Sequence, residues 1–313
     1  MTTIKSAYGG EGWSPRTEPL RAEIGRLWGA CGLANEWAPL KAVLLHRPGP
    51  ELDGLEDPDA AQMLAPLDAD RFRRQHEGLV QAYEEAGVTV HLVEPSQQPP
   101  PNLIFVADLM WMTPEGAVLA RPASTVRAGE ERWVARRLAD LGIPILRSVR
   151  GHGTFEGADA AWIDGETVLI ATGLRTNVQG ATQVASLLAE MGVETVLTGL
   201  PYGAMHLMGT LRFADRDLAV AWPGRVPYAA VEALRRRGYT VLFAPDEKEM
   251  KERMALNFVT LGPRHILMAA GCPHTQRFLE EAGVRCRTIP VDELVKAAGS
   301  IACLTGILER SSE

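Results

Sequence analysis

The stretch LVQAYEEAGVTVHLV, residues 79–93, joins an amphipathic helix to a short apolar strand through Gly87. Apolar residues recur at helical spacing before this glycine, and the strand after it alternates apolar and polar residues. A left-handed helix cap favours glycine at such a position, because glycine has no side chain to clash there. The pattern recurs four more times, in WVARRLADLGIPIL (133–146), VASLLAEMGVETVL (184–197), AVEALRRRGYTVLF (230–243) and QRFLEEAGVRCRTI (276–289), with caps at Gly142, Gly192, Gly238 and Gly283.

A second apolar strand precedes each helix, usually after a turn such as TPEG, DG, DRD or GP. Each unit therefore reads strand, turn, strand, helix, strand. The glycines are about 45 to 55 residues apart, a period typical of arrays whose units bury their apolar faces against one another. Five such units fit a closed ring, whereas the alternative, a generic open α/β sheet, does not need a hairpin in every unit.

Three segments lie outside the repeat. Residues 1–34 are predicted to form an N-terminal arm with one helix in EPLRAEIGRLWGACG (18–32), leaving residues 35–313 as a single domain. Residues 52–70, rich in Asp, Pro and Ala, indicate a surface loop or lid. We interpret the last unit as incomplete, with AGSIACLTGILER (298–310) supplying a strand that closes the ring against the first unit.

The composition is that of a folded protein, with 313 residues, 46% apolar and 23% charged. A net charge of −7 argues against a nucleic-acid partner, which requires clustered basic residues. No apolar run approaches the roughly 20 residues that span a bilayer, and the N-terminus lacks a signal-peptide pattern, so a cytoplasmic protein without a membrane partner is expected. The possibility of a homo-oligomer is left open.

The four cysteines form no zinc-binding pattern, which predicts free thiols, no metal and no cofactor.

Polar residues recur at comparable places before the second strand of each unit. In a ring the inner strands converge on the central axis, so these side chains are expected to share one cavity. Each has a structural alternative: an Asn or Asp can cap a turn, and a buried His can be a satisfied core residue. Together, however, so many polar groups in an apolar interior are costly, which favours a site. The residues are Asn35, Asp108, Asp159, His206 and Asn257.

Cys303 is the candidate nucleophile. An arbitrary cysteine is more often a small buried apolar residue, the interpretation given to Cys31, Cys272 and Cys286. Cys303 differs because it follows the Gly299–Ser300 turn and is expected near His206, whose positive charge would lower the pKa of the thiol.

These residues resemble the guanidino-group modifying enzymes: arginine deiminases, dimethylarginine dimethylaminohydrolases and amidinotransferases. The resemblance runs from about Asn35 to Arg310 and implies a five-bladed α/β propeller, the pentein fold, with pseudo-fivefold ββαβ repeats. Several short motifs in fixed order carry it: LKAVLLHRPG (40–49), PNLIFVAD (101–108), RPASTVRAGEE (121–131), GTFEGAD (153–159), GLRTN (173–177), MHLM (205–208) and IACLTGILER (301–310).

The resemblance also implies roles. Asp108 would grip the guanidinium, and Glu156 would orient His206, the general acid and base. Asp159 would be a second acidic group in the same pocket. Arg127 and Arg175 would bind a substrate carboxylate, unless either is a surface arginine in a salt bridge.

Three positions depart from the usual motifs. Ala107 replaces the Arg of FxRD, Ala158 replaces a Gly of EGGD, and Met208 replaces the Asp of His-x-Asp. Loss of that aspartate removes one anion expected to hold an unsubstituted guanidinium. The pattern therefore leans from arginine deiminase toward dimethylarginine hydrolase.

The resulting prediction is a hydrolase that acts on the guanidino group of arginine or a substituted arginine, through a covalent intermediate on Cys303. It would give a ureido product and an amine or ammonia. Two alternatives stay open: an amidinotransferase that passes the amidino group to an acceptor amine, and a non-catalytic propeller that binds a partner.

Overall fold

The computed structural model describes residues 3–55 and 57–311, and within them fifteen strands form five three-stranded sheets. The predicted five-bladed α/β propeller is thereby confirmed. The strands are β1 (Leu40–His46), β2 (Thr89–Val93), β3 (Met110–Thr113), β4 (Gly116–Leu119), β5 (Ile145–Ser148), β6 (Ala160–Asp164), β7 (Thr167–Thr172), β8 (Glu194–Gly199), β9 (Leu211–Asp215), β10 (Leu218–Ala221), β11 (Thr240–Phe243), β12 (Val259–Gly262), β13 (His265–Ala269), β14 (Arg285–Ile289) and β15 (Gly306–Arg310).

Every blade has the same topology: the inner strand is antiparallel to the middle strand, and the middle strand pairs in parallel with the outer strand, which follows a helix. The longer helices connect the middle and outer strands of their blades, and the shorter ones lie in connecting segments. The helices are α1 (Leu20–Glu23), α2 (Ala69–Glu85), α3 (Val106–Leu109), α4 (Glu131–Asp140), α5 (Val178–Glu190), α6 (Tyr228–Arg236), α7 (Glu247–Glu252), α8 (Pro273–Glu281), α9 (Asp292–Lys296) and α10 (Ile301–Leu304).

Each of the five long helices is followed by the predicted glycine in the left-handed region. Gly87, for example, has a φ of 75°, and Gly238 has a φ of 83°. A side chain at such a position costs conformational energy, and glycine avoids that cost. The repeated glycines therefore fix where each helix turns back toward its blade.

The chain closes the ring with its own C-terminal strand. Strand β15 pairs antiparallel with β1, from Leu40 opposite Arg310 to Leu44 opposite Gly306. The closing strand predicted after the last unit is thus confirmed, but it completes the first unit. The last unit already has its three strands β12, β13 and β14.

Burial decreases from the axis outward. Strands β3 and β4 are entirely buried, whereas β5, the outer strand of the same blade, is half-exposed. Polar groups in the turns that lead into the inner strands consequently lie in a dry environment, where hydrogen bonds and charges act strongly.

Outside the blades, the N-terminal segment contains the one-turn helix α1 and reaches the first blade through a bridge between Gly32 and Glu309. The division between an arm and one catalytic domain stays a prediction. The described residues between Leu52 and the start of α2 at Ala69 form no helix or strand, and the backbone N–H of Leu64 donates to the carbonyl of Lys296 at 2.7 Å. Within this segment Glu56 lies outside the described residues, and the lid remains a prediction.

Candidate active site

Five polar residues occupy the short turns that lead into the five inner strands. Asp108 lies in α3 before β3, and Asp159 ends a 3₁₀ turn before β6. His206 precedes β9, Asn257 precedes β12, and Cys303 lies in α10 before β15. Fivefold repetition therefore places one chemically functional side chain at the inner end of each blade.

Asn35 does not belong to this set, which corrects the sequence-based expectation. Its Oδ1 accepts the backbone N–H groups of Trp37 at 3.2 Å and Ala38 at 2.7 Å, so Asn35 caps a turn. The reason is the ring closure: Asn35 precedes β1, the middle strand of its blade. The inner strand is β15, so Cys303 holds the equivalent place.

His206 and Glu156 form a buried pair. Nε2 of His206 donates to Oε2 of Glu156 at 2.6 Å. Burial disfavours the imidazolium, but the charges of Asp108 and Asp159 and the bond to Glu156 outweigh it and raise the pKa of His206 to about 9. Burial likewise opposes ionisation of Glu156, yet the His206 hydrogen bond and nearby cations hold its pKa at about 2. His206 is therefore a charged acid at neutral pH.

Asp159 accepts a hydrogen bond from the backbone next to this histidine. Its Oδ1 accepts the backbone N–H of Leu207 at 3.0 Å, and its Oδ2 accepts the hydroxyl of Thr176 at 2.7 Å. The carboxyl is fully buried, and this burial raises its pKa to about 6. Both oxygens accept hydrogen bonds from protein groups, and Asp159 lines neither cavity beside the thiol, which corrects the expectation of a second acidic group in the substrate pocket.

Asp108 and Arg127 form a second buried pair. Arg127 donates to Oδ2 of Asp108 at 2.6 Å and, through Nε, to Glu130 at 2.9 Å, while its other nitrogen faces two backbone carbonyls. Its donors are therefore used internally, which corrects the expectation of a substrate-carboxylate ligand. The sequence reasoning missed Glu130, although the i, i+3 spacing in VRAGE could have indicated it. Burial raises the pKa of Glu130 to about 7, despite the charge of Arg127.

Arg175, unlike Arg127, has a guanidinium nitrogen that is free to donate a hydrogen bond. Its NH1 lies 3.6 Å from Oε1 of Glu156 and makes no hydrogen bond. The side chain is 11% exposed and lines the same small cavity as Asp108. Arg127 and Arg175 both line this cavity, but only Arg175 has a guanidinium nitrogen there without a hydrogen-bond partner among the described residues.

Asn257 holds the nucleophile candidate. Its Oδ1 accepts the backbone N–H groups of Ala302 at 2.8 Å and Cys303 at 3.2 Å, and its Nδ2 donates to the Cys303 Sγ at 3.0 Å. Burial, together with the charge of Asp108, raises the pKa of the Cys303 thiol to about 11. This corrects the expectation that His206 lowers it: the resting side chain is a neutral thiol.

The three residues that depart from the usual motifs, Ala107, Ala158 and Met208, line a central cavity of about 50 Å³. It is also lined by Arg212, whose Nε has no hydrogen-bond partner and whose guanidinium carbon lies 5.7 Å from the Phe258 ring centre. Met208 lines both this cavity and a larger one beside Cys303. Where the usual motif has an aspartate, this chain therefore presents an apolar side chain.

Two groups of side chains are close enough to hold a metal ion, within the part of the chain that is described. The first is Asp108, Glu156 and His206, but the neighbouring cation of Arg127 already pairs with Asp108. The second is Asp246, Glu249 and His274, whose carboxylates accept backbone N–H groups at the starts of α7 and α8. The carboxylates of the second group are thus satisfied by protein donors, and in the first group Oδ2 of Asp108 is already paired with a cation.

Solved structures with this fold share the arrangement of the blades. A variant dimethylarginine dimethylaminohydrolase from Pseudomonas aeruginosa, complexed with citrulline, is 22% identical with a TM-score of 0.72, covering 87% of this chain and 100% of that one. The amidinotransferase SxtG from Microseira wollei is 16% identical with a TM-score of 0.75, covering 90% and 98%. The chain therefore has the fold of these proteins, the five-bladed α/β propeller of the pentein class.

The sequence comparisons narrow this class. The family described as N,N dimethylarginine dimethylhydrolase, eukaryotic, matches residues 67–306. A dimethylarginine dimethylaminohydrolase from Streptomyces coelicolor is 26% identical over 268 residues, covering 85% of this chain and 96% of that protein. One from Mycobacterium tuberculosis is 29% identical over 245 residues, covering 77% of each. The chain belongs to the dimethylarginine dimethylaminohydrolase family and is a guanidino-group hydrolase, which confirms the predicted enzyme class over the non-catalytic propeller.

No helix among the described residues is long and apolar enough to span a membrane.

Proposed function

We propose that the chain hydrolyses a guanidino compound of the arginine type through a covalent intermediate on Cys303. One observation carries this proposal: Oδ1 of Asp108 is buried without a hydrogen-bond partner, 3.8 Å from Nδ1 of His206, in a small cavity that Cys303 and His206 also line. A buried carboxylate oxygen that accepts no hydrogen bond is costly, and a guanidinium N–H is a donor suited to it. The Arg127 bond to Oδ2 fixes the direction in which Oδ1 points.

The bound guanidinium also supports formation of the nucleophile. A cation beside a thiol favours the thiolate, so substrate binding lowers a pKa that is about 11 in the free protein, and the thiol proton passes to solvent. The thiolate attacks the guanidinium carbon, and His206 gives its proton to the departing nitrogen, which leaves as an amine or ammonia. Glu156 stays ionised and holds the imidazole ring in place.

Water completes the reaction. Neutral His206 takes one proton from water, which attacks the carbon of the covalent thiouronium, and the C–S bond breaks to return the Cys303 thiolate. The second proton of the water passes through solvent to the released amine. The sum is one guanidinium and one water converted to one ureido compound and one protonated amine. No further reactant is required.

The test is incubation with arginine, methylated arginines, agmatine and guanidinoacetate, with assays for ureido product, released amine and ornithine. Ureido product together with a trapped mass adduct on Cys303 supports the proposal. Ornithine formed only when an acceptor amine is added would instead establish amidino transfer. Absence of turnover with every guanidine would overturn the proposal.

The pH dependence should be unusual. The reactive form holds Cys303 as thiolate and His206 as imidazolium, although the pKa of the thiol is about 11 and that of the imidazole is about 9. We expect kcat/KM to rise about tenfold per pH unit up to near pH 9, because the reactive form is scarce at neutral pH. The decline should come only above about pH 11. Initial rates from pH 6 to 10, with stability checked at each pH, measure this, and a flat profile from pH 6 would contradict it.

A further inference from the structure

A large apolar cavity adjoins the reactive thiol on the side away from Asp108. Its volume is about 310 Å³, at the lower end of the range for small-molecule sites. His206, Asn257 and Cys303 lie at its buried end, whereas Leu64 and Lys251 are exposed. The walls between them are largely sulfur and aromatic groups, from Met205, Met208, Met250, Met254 and Trp222.

The polar cavity on the other side of the thiol is much smaller. It measures about 20 Å³ and contains Asp108 and Arg175. A single water occupies roughly 10–15 Å³, so this cavity has no space for a long N-substituent beside a guanidinium head. His206 and Cys303 line both cavities. A guanidinium held at Asp108 therefore has to place its long N-substituent in the larger cavity.

The charges of the larger cavity discriminate between substituents. Its ionised lining groups, among the described residues, are Arg225, Lys251 and, at the buried end, the imidazolium of His206, and no carboxylate is among them. Arg225 donates to the carbonyl of Gly203 at 2.6 Å and lies over the Trp222 ring, which fixes its position, and Lys251 pairs with the exposed Glu247 at 2.7 Å. An exposed pair of this kind is weak and exchangeable. The cavity thus favours a carboxylate at its outer end and disfavours an ammonium.

We propose that this cavity binds the N-substituent of the substrate, and that the preferred substrates are ω-guanidino carboxylates with an apolar chain and no α-amino group. The inference rests on the proposed function, since it assumes that Asp108 and Cys303 hold the guanidine. The methionine walls match the methylene chain, and the two cations match its terminal carboxylate.

The test compares arginine with 5-guanidinopentanoate, which is arginine without its amino group. We expect at least a tenfold higher kcat/KM for 5-guanidinopentanoate, an intermediate value for pentylguanidine, and the lowest value for agmatine, whose tail ends in an ammonium. Guanidinoacetate, whose carboxylate is too near the head to reach the cations, should also be poor. Arginine equal to or better than 5-guanidinopentanoate would overturn the inference.

Two variants locate the effect. Lys251→Met should lower kcat/KM for 5-guanidinopentanoate about tenfold relative to pentylguanidine, and Lys248→Met, on the same helix but outside the cavity lining, should change neither. An unchanged ratio in both Lys251→Met and Arg225→Met would overturn the assignment of the carboxylate. If arginine is hydrolysed but 5-guanidinopentanoate is not, only this inference fails. If no guanidine is hydrolysed, the proposed function itself fails.

Discussion

Replacing Cys303 by serine should lower kcat for the best guanidino substrate by on the order of 10⁴-fold or more, the scale seen when a covalent nucleophile is removed. A serine hydroxyl is far harder to ionise than a thiol, and Asn257, which donates to Sγ at 3.0 Å, offers no base to activate it. Product formation under single-turnover conditions measures the loss.

Cys286→Ser is the matched control for this substitution. Cys286 lies half-buried in β14, its thiol pKa is raised to about 12 by burial, and no step of the reaction uses it. Its variant should keep the full rate. Intact-mass analysis after treatment with 2-chloroacetamidine, a cationic alkylating agent, should show one adduct on the native protein and none on Cys303→Ser. A serine variant that keeps more than a tenth of the rate would exclude Cys303 as nucleophile.

Replacing Arg127 by methionine should destabilise the protein by about 3–5 kcal/mol, since removing one partner of a buried ion pair leaves an uncompensated charge. Arg127 is 3% exposed and bonds to Asp108 and Glu130, both buried. A guanidinium whose role was only to bind substrate would not have this effect. The midpoint of urea unfolding, followed by circular dichroism, measures it.

Arg136→Met provides the comparison for Arg127→Met. Arg136 is also a helical-region arginine facing a carboxylate, Asp140 at 3.9 Å, but its side chain is 59% exposed. Such surface pairs contribute little, so this variant should unfold at nearly the native urea concentration. Equal, small shifts for both variants would mean that the Arg127 cluster does not stabilise the fold.

The site could be predicted from sequence where its residues follow the repeat. Asp108, His206 and Asn257 each precede an inner strand and could be aligned through the repeated glycines. The repeat wrongly predicts Asn35 as a member of the site, because no local pattern shows that the C-terminal strand β15 is the inner strand of the first blade. The pairing of Arg127 with Glu130 was hidden for another reason: an arginine in a short motif looks the same whether it faces substrate or carboxylates.

The amino-acid sequence by itself determined the five repeated units, the helix ends at their glycines and the motifs that resemble those of guanidino-group modifying enzymes. Helical periodicity and backbone conformation are local properties, so the sequence is sufficient to predict them. Only the tertiary structure decided which polar groups remain available for substrate. Burial and pairing commit Arg127 and Asp159 to the protein, leave Oδ1 of Asp108 unpartnered, and keep Cys303 a neutral thiol. Those outcomes depend on solvent exclusion and on contacts between blades distant in sequence, which no local pattern encodes.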